Sequence, residues 1–284
     1  MSKKLSDLID MTEAKIMEWY RHFEGKVYVS FSGGKDSTVL LHLVRSLFPD
    51  VEAVFINTGI EYPEVINFVR TVDNVTFLKP KYTFFDVVDK YGYPVVSKEV
   101  SQKIHEIRNT NSNVLLRKRL LGDKNGNGMI SEKWKYLIYS DIKISNKCCN
   151  ILKKQPIKAF EKKSGKYPYI GMMMADSALR AQQITTCNSF ESKRPVSNPL
   201  RHWDDFMIWE YIKKNNIPYS KIYDMGHTRT GCSLCLFGVQ FDTEKPDRLQ
   251  QMHPSLYRAA CEKVNYQHVA DLIIGKRQKK LPFE

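Results

Sequence analysis

The stretch VYVSFSGGKDSTVLLHLV, residues 27–44, decides the fold. Its first part, Val27–Phe31, is a short run with little polar alternation, the pattern of a strand buried on both faces. A Gly-Gly turn follows at once, and Val39, Leu40, Leu43, Val44 and Leu47 then repeat at helical spacing. The turn itself, Ser32-Gly33-Gly34-Lys35-Asp36-Ser37, suits a phosphate cradle. Two glycines let the backbone approach an anion, and the free N–H groups and dipole of the helix start face it. Ser32 and Ser37 add hydroxyl donors, and Lys35 adds a positive charge. The spacing between glycine and lysine is not that of the longer G-x-x-x-x-G-K-S/T loop.

Outward from this core, Leu5, Leu8, Ile9, Ile16, Trp19 and Tyr20 fall at helical spacing over residues 5–23. A second strand is expected at Val51–Asn57, ending at Thr58-Gly59, and a third at Val75–Leu78. Strands alternating with helices predict a parallel sheet covered on both faces. Tyr167–Met172 reads as a later strand, and from about residue 200 the pattern turns helical, as in Phe206–Ile212. The expected class is α/β, a Rossmann-like parallel sheet with flanking helices over residues 1–200. Residues 201–284 are expected to form a helical C-terminal region that carries the Cys-x-x-Cys half of a metal site.

The chain has 284 residues and a net charge of +13, with 44 Lys and Arg against 31 Asp and Glu. Such an excess suits a polyanionic partner, or a lysine-rich solvated surface. It gathers at 98–124, with seven Lys and Arg, at 143–166, with eight Lys and one acid, Glu161, and at Lys276–Lys280. Fourteen Phe and fifteen Tyr argue against disorder. No apolar run approaches the roughly 20 residues of a membrane helix, and the start MSKKLSDLID carries charges where a signal peptide needs an apolar stretch. A soluble, cytoplasmic protein is expected.

Six cysteines in such a chain do not suggest a disulfide framework. Cys148 and Cys149 are adjacent, Cys232 and Cys235 form a Cys-x-x-Cys pair, and Cys187 and Cys261 stand alone. A Cys-x-x-Cys brings two sulfurs to one metal centre from a single turn, and adjacent cysteines do so only where the backbone is kinked. Thiolate ligation alone admits zinc as well as an iron–sulfur cluster.

SGGKDS resembles the signature of the PP-loop enzymes, in particular the phosphoadenosine phosphosulfate and adenylylsulfate reductase family with its related ATP pyrophosphatases. Asn57-Thr58-Gly59 with Tyr62-Pro63-Glu64 is similar to that family's D-T-G…P-E-T, with Asn57 replacing Asp and Val65 replacing Thr. Gly171 to Arg180 resembles G-x-R-x-x-E-S-x-x-R: Gly171, Ser177 and Arg180 match, whereas Met173 and Asp176 replace an arginine and a glutamate. The likeness continues through Pro199, Trp203, Trp209, Asn216 and Tyr223, covering about residues 25 to 238.

The resemblance implies an adenine nucleotide alpha-hydrolase-like fold. It implies a nucleotide, ATP with Mg²⁺ or a sulfonucleotide, held by Ser32–Ser37, Asn57, Thr58, Gly59, Gly171, Ser177 and Arg180. It also implies a 4Fe–4S cluster on Cys148, Cys149, Cys232 and Cys235. Lys35 and Asp36 are the expected catalytic groups at the loop. The reductases attack sulfur through a cysteine near the C-terminus; the tail GKRQKKLPFE has none, and Cys187 is the candidate reactive thiol.

Three functions follow as expectations. The first is ATP-dependent adenylation, with pyrophosphate release, preparing DNA or tRNA for sulfur insertion with a sulfur- or electron-donor protein. The second is sulfonucleotide reduction releasing sulfite. The third is a non-catalytic nucleotide- or nucleic-acid-binding module with a structural metal. Asp123–Ile130 imitates part of a calcium loop, but position twelve is Trp134 and Glu132 comes two residues early, so a Gly/Asn turn is expected. His42 and Met172–Met174 read as packing residues, and His227 and Arg229 as candidate contacts to an anion or cluster.

Overall fold

The computed structural model describes residues 3–275. In chain order it runs α1 (Lys3–His22), β1 (Val27–Ser30), α2 (Lys35–Leu47), β2 (Ala53–Ile56), α3 (Pro63–Arg70) and β3 (Val75–Leu78). Then come α4 (Phe84–Tyr91), β4 (Val95–Val96), α5 (Lys98–Asn109), α6 (Asn113–Leu121) and α7 (Lys147–Cys149). A π turn at Asn150–Lys154 leads into α8 (Gln155–Ser164) and β5 (Tyr167–Ile170). α9 (Ala178–Gln183), β6 (Asn188–Ser189), β7 (Val196–Ser197) and α10 (Asp205–Lys214) follow. The described chain closes with β8 (Leu236–Phe237), α11 (Lys245–Met252), α12 (Pro254–Val264) and α13 (Tyr266–Ile274). The cationic tail Lys276–Lys280 lies outside the described residues.

Two compact units share this chain through interleaved segments. Unit one takes Met1–Asn57, Glu61–Lys79 and Pro156–Gly231; unit two takes Thr58–Ile60, Pro80–Gln155 and Cys232–Glu284.

Unit one is the α/β body. Its six-stranded sheet has the order β3-β2-β1-β5-β7-β6, parallel throughout except for the β6–β7 pair. The strand expected from 27–31 is the centre of this sheet, and Val27, Tyr28 and Val29 are buried there, as its unbroken apolar run requires. From β1 the chain crosses to β2 on one side, while β5 joins on the other. The C-terminal end of β1 is therefore the topological switch point, where an open α/β sheet leaves a crevice for a ligand. On α2, Val39, Leu40, Leu43 and Val44 are fully buried, each contributing about 1.5–3 kcal/mol by leaving water. Helix α1 packs through Ile16 and Trp19, with Trp19 stacked on Phe190 at 5.2 Å. Tyr169 of β5 donates its hydroxyl proton to the Ile16 carbonyl at 2.8 Å, and Trp203 donates to Thr12 at 2.9 Å.

Unit two is mainly helical, with the short parallel pair β4–β8 at its centre. Thr83 caps α4 and completes a capping box with Asp86. Gly92, at φ +103°, lies where a Cβ would come within 2.4 Å of the Lys143–Ile144 backbone. The Arg108 guanidinium donates to the carbonyls of Leu137, Ile138, Ser140 and Ile142, closing a 3₁₀ stretch at Glu132–Tyr139. Asp123 accepts from the Asn125 and Asn127 N–H groups at 2.9 and 2.8 Å, the self-contained polar turn expected there. Among the described residues no helix is long and apolar enough to cross a membrane.

Candidate functional site

The loop Ser32–Gly34 leaves β1 at the switch point and delivers Lys35 as the first residue of α2. Gly33 has φ +70°, and a Cβ there would sit 2.7 Å from Val69 and 2.8 Å from Val65 of α3. Gly34 has an ordinary backbone, but a Cβ would meet the Thr230 hydroxyl at 2.5 Å. Gly171, just past β5, packs against the Asp36–Ser37 peptide, where a Cβ would stand at 3.3 Å. The glycines thus let three segments of backbone close round the start of α2.

The loop N–H groups are held by hydroxyl oxygens. Ser32 N–H donates to Ser37 Oγ at 3.2 Å, Gly34 N–H to Ser32 Oγ at 3.3 Å, and Lys35 N–H to the Tyr223 hydroxyl at 2.8 Å. These oxygens stand where a phosphate oxygen would accept from the same N–H groups, so anion binding there requires the two serine side chains to turn away and Tyr223 to shift. Tyr223 was not among the residues expected to touch the loop; its only sequence signal was its place in the stretch of family likeness.

Lys35 is buried, and its ammonium donates to Asp36 and Asp205, each at 2.9 Å. Burial disfavours its charge, but these two carboxylates outweigh that and hold its pKa above the ordinary value. Burial likewise raises the Asp36 carboxyl, with Lys35 opposing and Asp176 and Asp205 adding like charge. Asp176 is paired with Arg180 and lies 3.7 Å from Arg229. Three carboxylates therefore face three cations round the loop. Asp205, the first residue of α10, was not singled out by sequence, since nothing marks an acidic residue at an ordinary helix start. Ser177 caps α9 by accepting from the Arg180 N–H at 3.3 Å. The structure thus brings together residues 32–37, Gly171 and Arg180, with Asp205, Tyr223 and Arg229 added. His227 lies against Tyr62, ring centroids 4.8 Å apart.

The other expected site residues fall elsewhere. Asn57 ends the β2 segment in unit one, whereas Thr58 and Gly59 belong to unit two. There the Ile60 carbonyl accepts from both the N–H and the hydroxyl of Ser233, each at 2.8 Å. Cys187 lines a cavity of about 510 Å³ together with Lys15, Glu18, Asn188 and Arg201, and none of residues 32–37 reaches its wall. Burial raises the Cys187 thiol pKa, against the opposing charges of Arg201 and Lys15, so its setting does not favour a thiolate.

In unit two, Cys148, Cys149, Cys232 and Cys235 line one small cavity of about 20 Å³, walled also by Thr58, Ile60, Phe84, Pro94, Leu152 and the cationic Lys153. Cys148 and Cys149 both reach this cavity from the helical backbone of α7, Cys149 having φ −62° and ψ −30°, and a π turn begins directly after them at Asn150. Burial raises the Cys148 thiol, and the other three cysteines add to the shift; the Cys235 thiol is pushed up to about 11, chiefly by burial. Lys245 sends its ammonium into this loop, donating to the Cys235 carbonyl at 2.6 Å and the Cys232 carbonyl at 3.4 Å. Among the described residues no three Cys, His, Asp or Glu side chains are drawn together as a grip on one metal ion. Four thiols lining one cavity, with the Lys153 and Lys245 ammonium groups beside them, form a donor set that either zinc or an iron–sulfur cluster takes as thiolates.

A parallel sheet with this loop at its switch point defines a PP-loop α/β protein. More narrowly, the chain belongs to the phosphoadenosine phosphosulfate reductase domain family, whose model matches residues 26–111 and 98–236. It is similar to the adenosine 5′-phosphosulfate reductase of Geobacillus kaustophilus, 25% identical over 222 residues that make up 78% of this chain and 77% of the relative. It is likewise similar to adenosine 5′-phosphosulfate reductase 2 of Bacillus subtilis, 25% identical over 244 residues, 83% of each chain. Among solved structures, the phosphoadenylyl-sulfate reductase of Candida auris in its phosphate complex superposes with a TM-score of 0.47 at 19% identity, covering 82% of this chain and 96% of that one.

Proposed function

We propose that this chain is an iron–sulfur PP-loop enzyme that binds ATP with Mg²⁺ at residues 32–37, adenylates a nucleic-acid acceptor with release of pyrophosphate, and so prepares it for sulfur insertion. One observation carries the choice of ATP: Lys35 is held by Asp36 and Asp205, with Asp176 adding a third carboxylate. A bare polyphosphate or sulfonucleotide would meet a pocket of balanced charge. A phosphate chain that arrives with a divalent cation would find both a lysine for its oxygens and carboxylates for its metal.

In this reading an oxygen of the acceptor attacks the α-phosphorus. The bond from that phosphorus to the bridging oxygen breaks, and pyrophosphate leaves with the electron pair. With the phosphate chain on the loop, its N–H groups and the Lys35 ammonium would face that leaving charge as it develops. Asp36 and Asp205 would hold Mg²⁺. Cys148, Cys149, Cys232 and Cys235 would hold a 4Fe–4S cluster, which when bound supplies iron to which a sulfur atom can attach. Lys245 would offset the negative charge of the four thiolates.

A second reading, reduction of adenylylsulfate or its 3′-phosphorylated form with release of sulfite, is favoured by the names of the relatives at 25% identity. It needs a thiol to attack sulfur, and the burial of Cys187 works against that residue. Anaerobically prepared protein incubated with ATP and Mg²⁺, or with adenylylsulfate and a thiol, separates the two. Pyrophosphate from ATP, stimulated by DNA or tRNA, supports adenylation; sulfite with no pyrophosphate replaces it with reduction.

A further inference from the structure

The charge excess has a definite address. Residues 80–155 carry fifteen Lys and Arg against seven Asp and Glu, whereas the rest of unit two through residue 275 carries four against five. Several of the fifteen are engaged internally: Lys103 with Glu99, Arg119 with Glu106, Lys135 with Glu132, and Arg108 on backbone carbonyls. Lys81, Lys90 and Lys147 are not. All three are exposed, and among the described residues none is paired with a carboxylate.

These three lysines alternate with two aromatic rings. Lys81 and Lys90 flank Tyr82, their ammonium groups 5.8 and 6.0 Å from the ring centroid. Lys90 and Lys147 flank Tyr91 at 5.4 and 6.0 Å. Lys90 is shared, so the order along the surface is cation, ring, cation, ring, cation. The two acids of α4 lower the local excess without pairing with it: Asp86 accepts from Thr83 at the cap, and among the described residues neither Asp86 nor Asp89 forms an ion pair with Lys81, Lys90 or Lys147. An acidic peptide would satisfy the lysines but has no reason to match the rings. A single-stranded nucleic acid has both features in the same alternation, phosphates for the ammonium groups and base faces for the rings.

We propose that Lys81, Tyr82, Lys90, Tyr91 and Lys147 form a binding strip for a single-stranded segment of nucleic acid. This rests on the nucleic-acid acceptor of the preceding section, but binding here needs neither ATP nor chemistry. The two can therefore fail separately.

The test uses the full chain and a labelled 20-nucleotide single strand, with affinity measured from low to moderate salt in the absence of ATP. Each phosphate neutralised on a single strand contributes about 0.7 to the slope of log affinity against log salt. The triple variant K81Q/K90Q/K147Q should flatten that slope by about 2, and the double variant K81Q/K90Q by about 1.4. Tyr82→Leu and Tyr91→Leu should each weaken binding about fivefold or more while leaving the slope unchanged. Unchanged iron content and circular dichroism confirm that the variants are folded. An unaltered slope in the triple variant overturns the proposal, as does binding to phosphatidylserine vesicles with no binding to the oligonucleotide. Salt-sensitive binding with no pyrophosphate release keeps the strip and removes the adenylation reading.

Discussion

The two glycines of the loop make opposite demands, and alanine at each should separate folding from binding. At Gly33 an alanine must adopt φ near +70°, which costs about 1–2 kcal/mol for a residue with a Cβ. Its methyl would also sit 2.7 and 2.8 Å from Val69 and Val65, both buried on α3, and overpacking of that kind costs about 1–3 kcal/mol. Gly33→Ala should therefore destabilise unit one by about 2–5 kcal/mol. At Gly34 the backbone, φ −83° and ψ 157°, suits any residue. The nearest obstacle is the Thr230 hydroxyl, a side-chain rotor, with Tyr223 at 3.4 Å. Gly34→Ala should cost only about 1 kcal/mol in stability, the worth of one hydrogen bond. Its methyl, however, stands among Ser32, Thr230 and Tyr223, at the hydroxyls a phosphate would displace. Losing one or two charge-assisted contacts there should weaken ATP binding about ten- to a hundredfold. Urea unfolding followed through the buried Trp19 and Trp203, with calorimetric ATP titration, reads both effects. Equal destabilisation by the two variants, or wild-type ATP affinity in Gly34→Ala, would refute the assignment of the first glycine to packing and the second to the ligand.

Four further outcomes are expected. Asp205→Asn removes one of the two carboxylates on Lys35, so ATP affinity measured in EDTA should rise and the gain on adding Mg²⁺ should shrink; an unchanged Mg²⁺ dependence counts against the carboxylates as metal holders. Lys245→Met should lower iron bound per chain after reconstitution, with Lys245→Arg restoring most of it, as measured by metal and sulfide analysis; full loading of Lys245→Met would dismiss the counter-charge role. Cys187, its thiol raised by burial, should react slowly with iodoacetamide at pH 7 and faster as pH rises, and Cys187→Ser should leave pyrophosphate release intact. Asp36 has a folded pKa above its ordinary 3.8, so the folded chain holds this proton more tightly than the unfolded one. Its contribution to stability is therefore favourable below 3.8 and declines as pH rises through the raised value; Asp36→Asn should remove that decline from urea midpoints measured across this range.

The sheet was legible because its signals are local. Val27–Phe31 has no polar alternation, the glycines follow directly, and Val39 to Leu47 keep a clean helical period, so β1, its loop and α2 appear where periodicity puts them. The loop residues were legible for the same reason. What sequence did not disclose comes from contacts over long separations. Asp205 lies 170 residues from Lys35 and Tyr223 188, and neither has a local pattern of its own. The interleaving of the two units is likewise invisible to periodicity, since the break after Asn57 falls inside a stretch that reads as one continuous turn. The adjacent cysteines are a middle case. Sequence asked for a kinked backbone at the pair, whereas the structure keeps both cysteines in helix α7 and places a π turn only after them, which a helix-forming sequence such as NILKK does not advertise.

The separation of charge between the units bears directly on what each one binds. Round the phosphate loop, Lys35, Arg180 and Arg229 are matched by Asp36, Asp176 and Asp205, so unit one gains no long-range pull on anions from its own site. A small nucleotide there must be recognised at short range, by N–H groups and hydroxyls within hydrogen-bond reach. Unit two differs: the excess of eight positive charges over residues 80–155 is spread along an exposed surface and is only partly neutralised. Charge of that kind acts at about a Debye length, roughly 8–10 Å in ordinary salt, and it favours long polyanions, which release many counterions, over small ones, which release few. The two halves of the proposed reaction therefore predict opposite salt behaviour in one protein. ATP affinity should change little between 50 and 200 mM salt, whereas affinity for a nucleic acid should fall steeply over the same range. Parallel loss of both would mean that the charge of unit two serves the nucleotide after all, and the case for a polymeric acceptor would lose its physical basis.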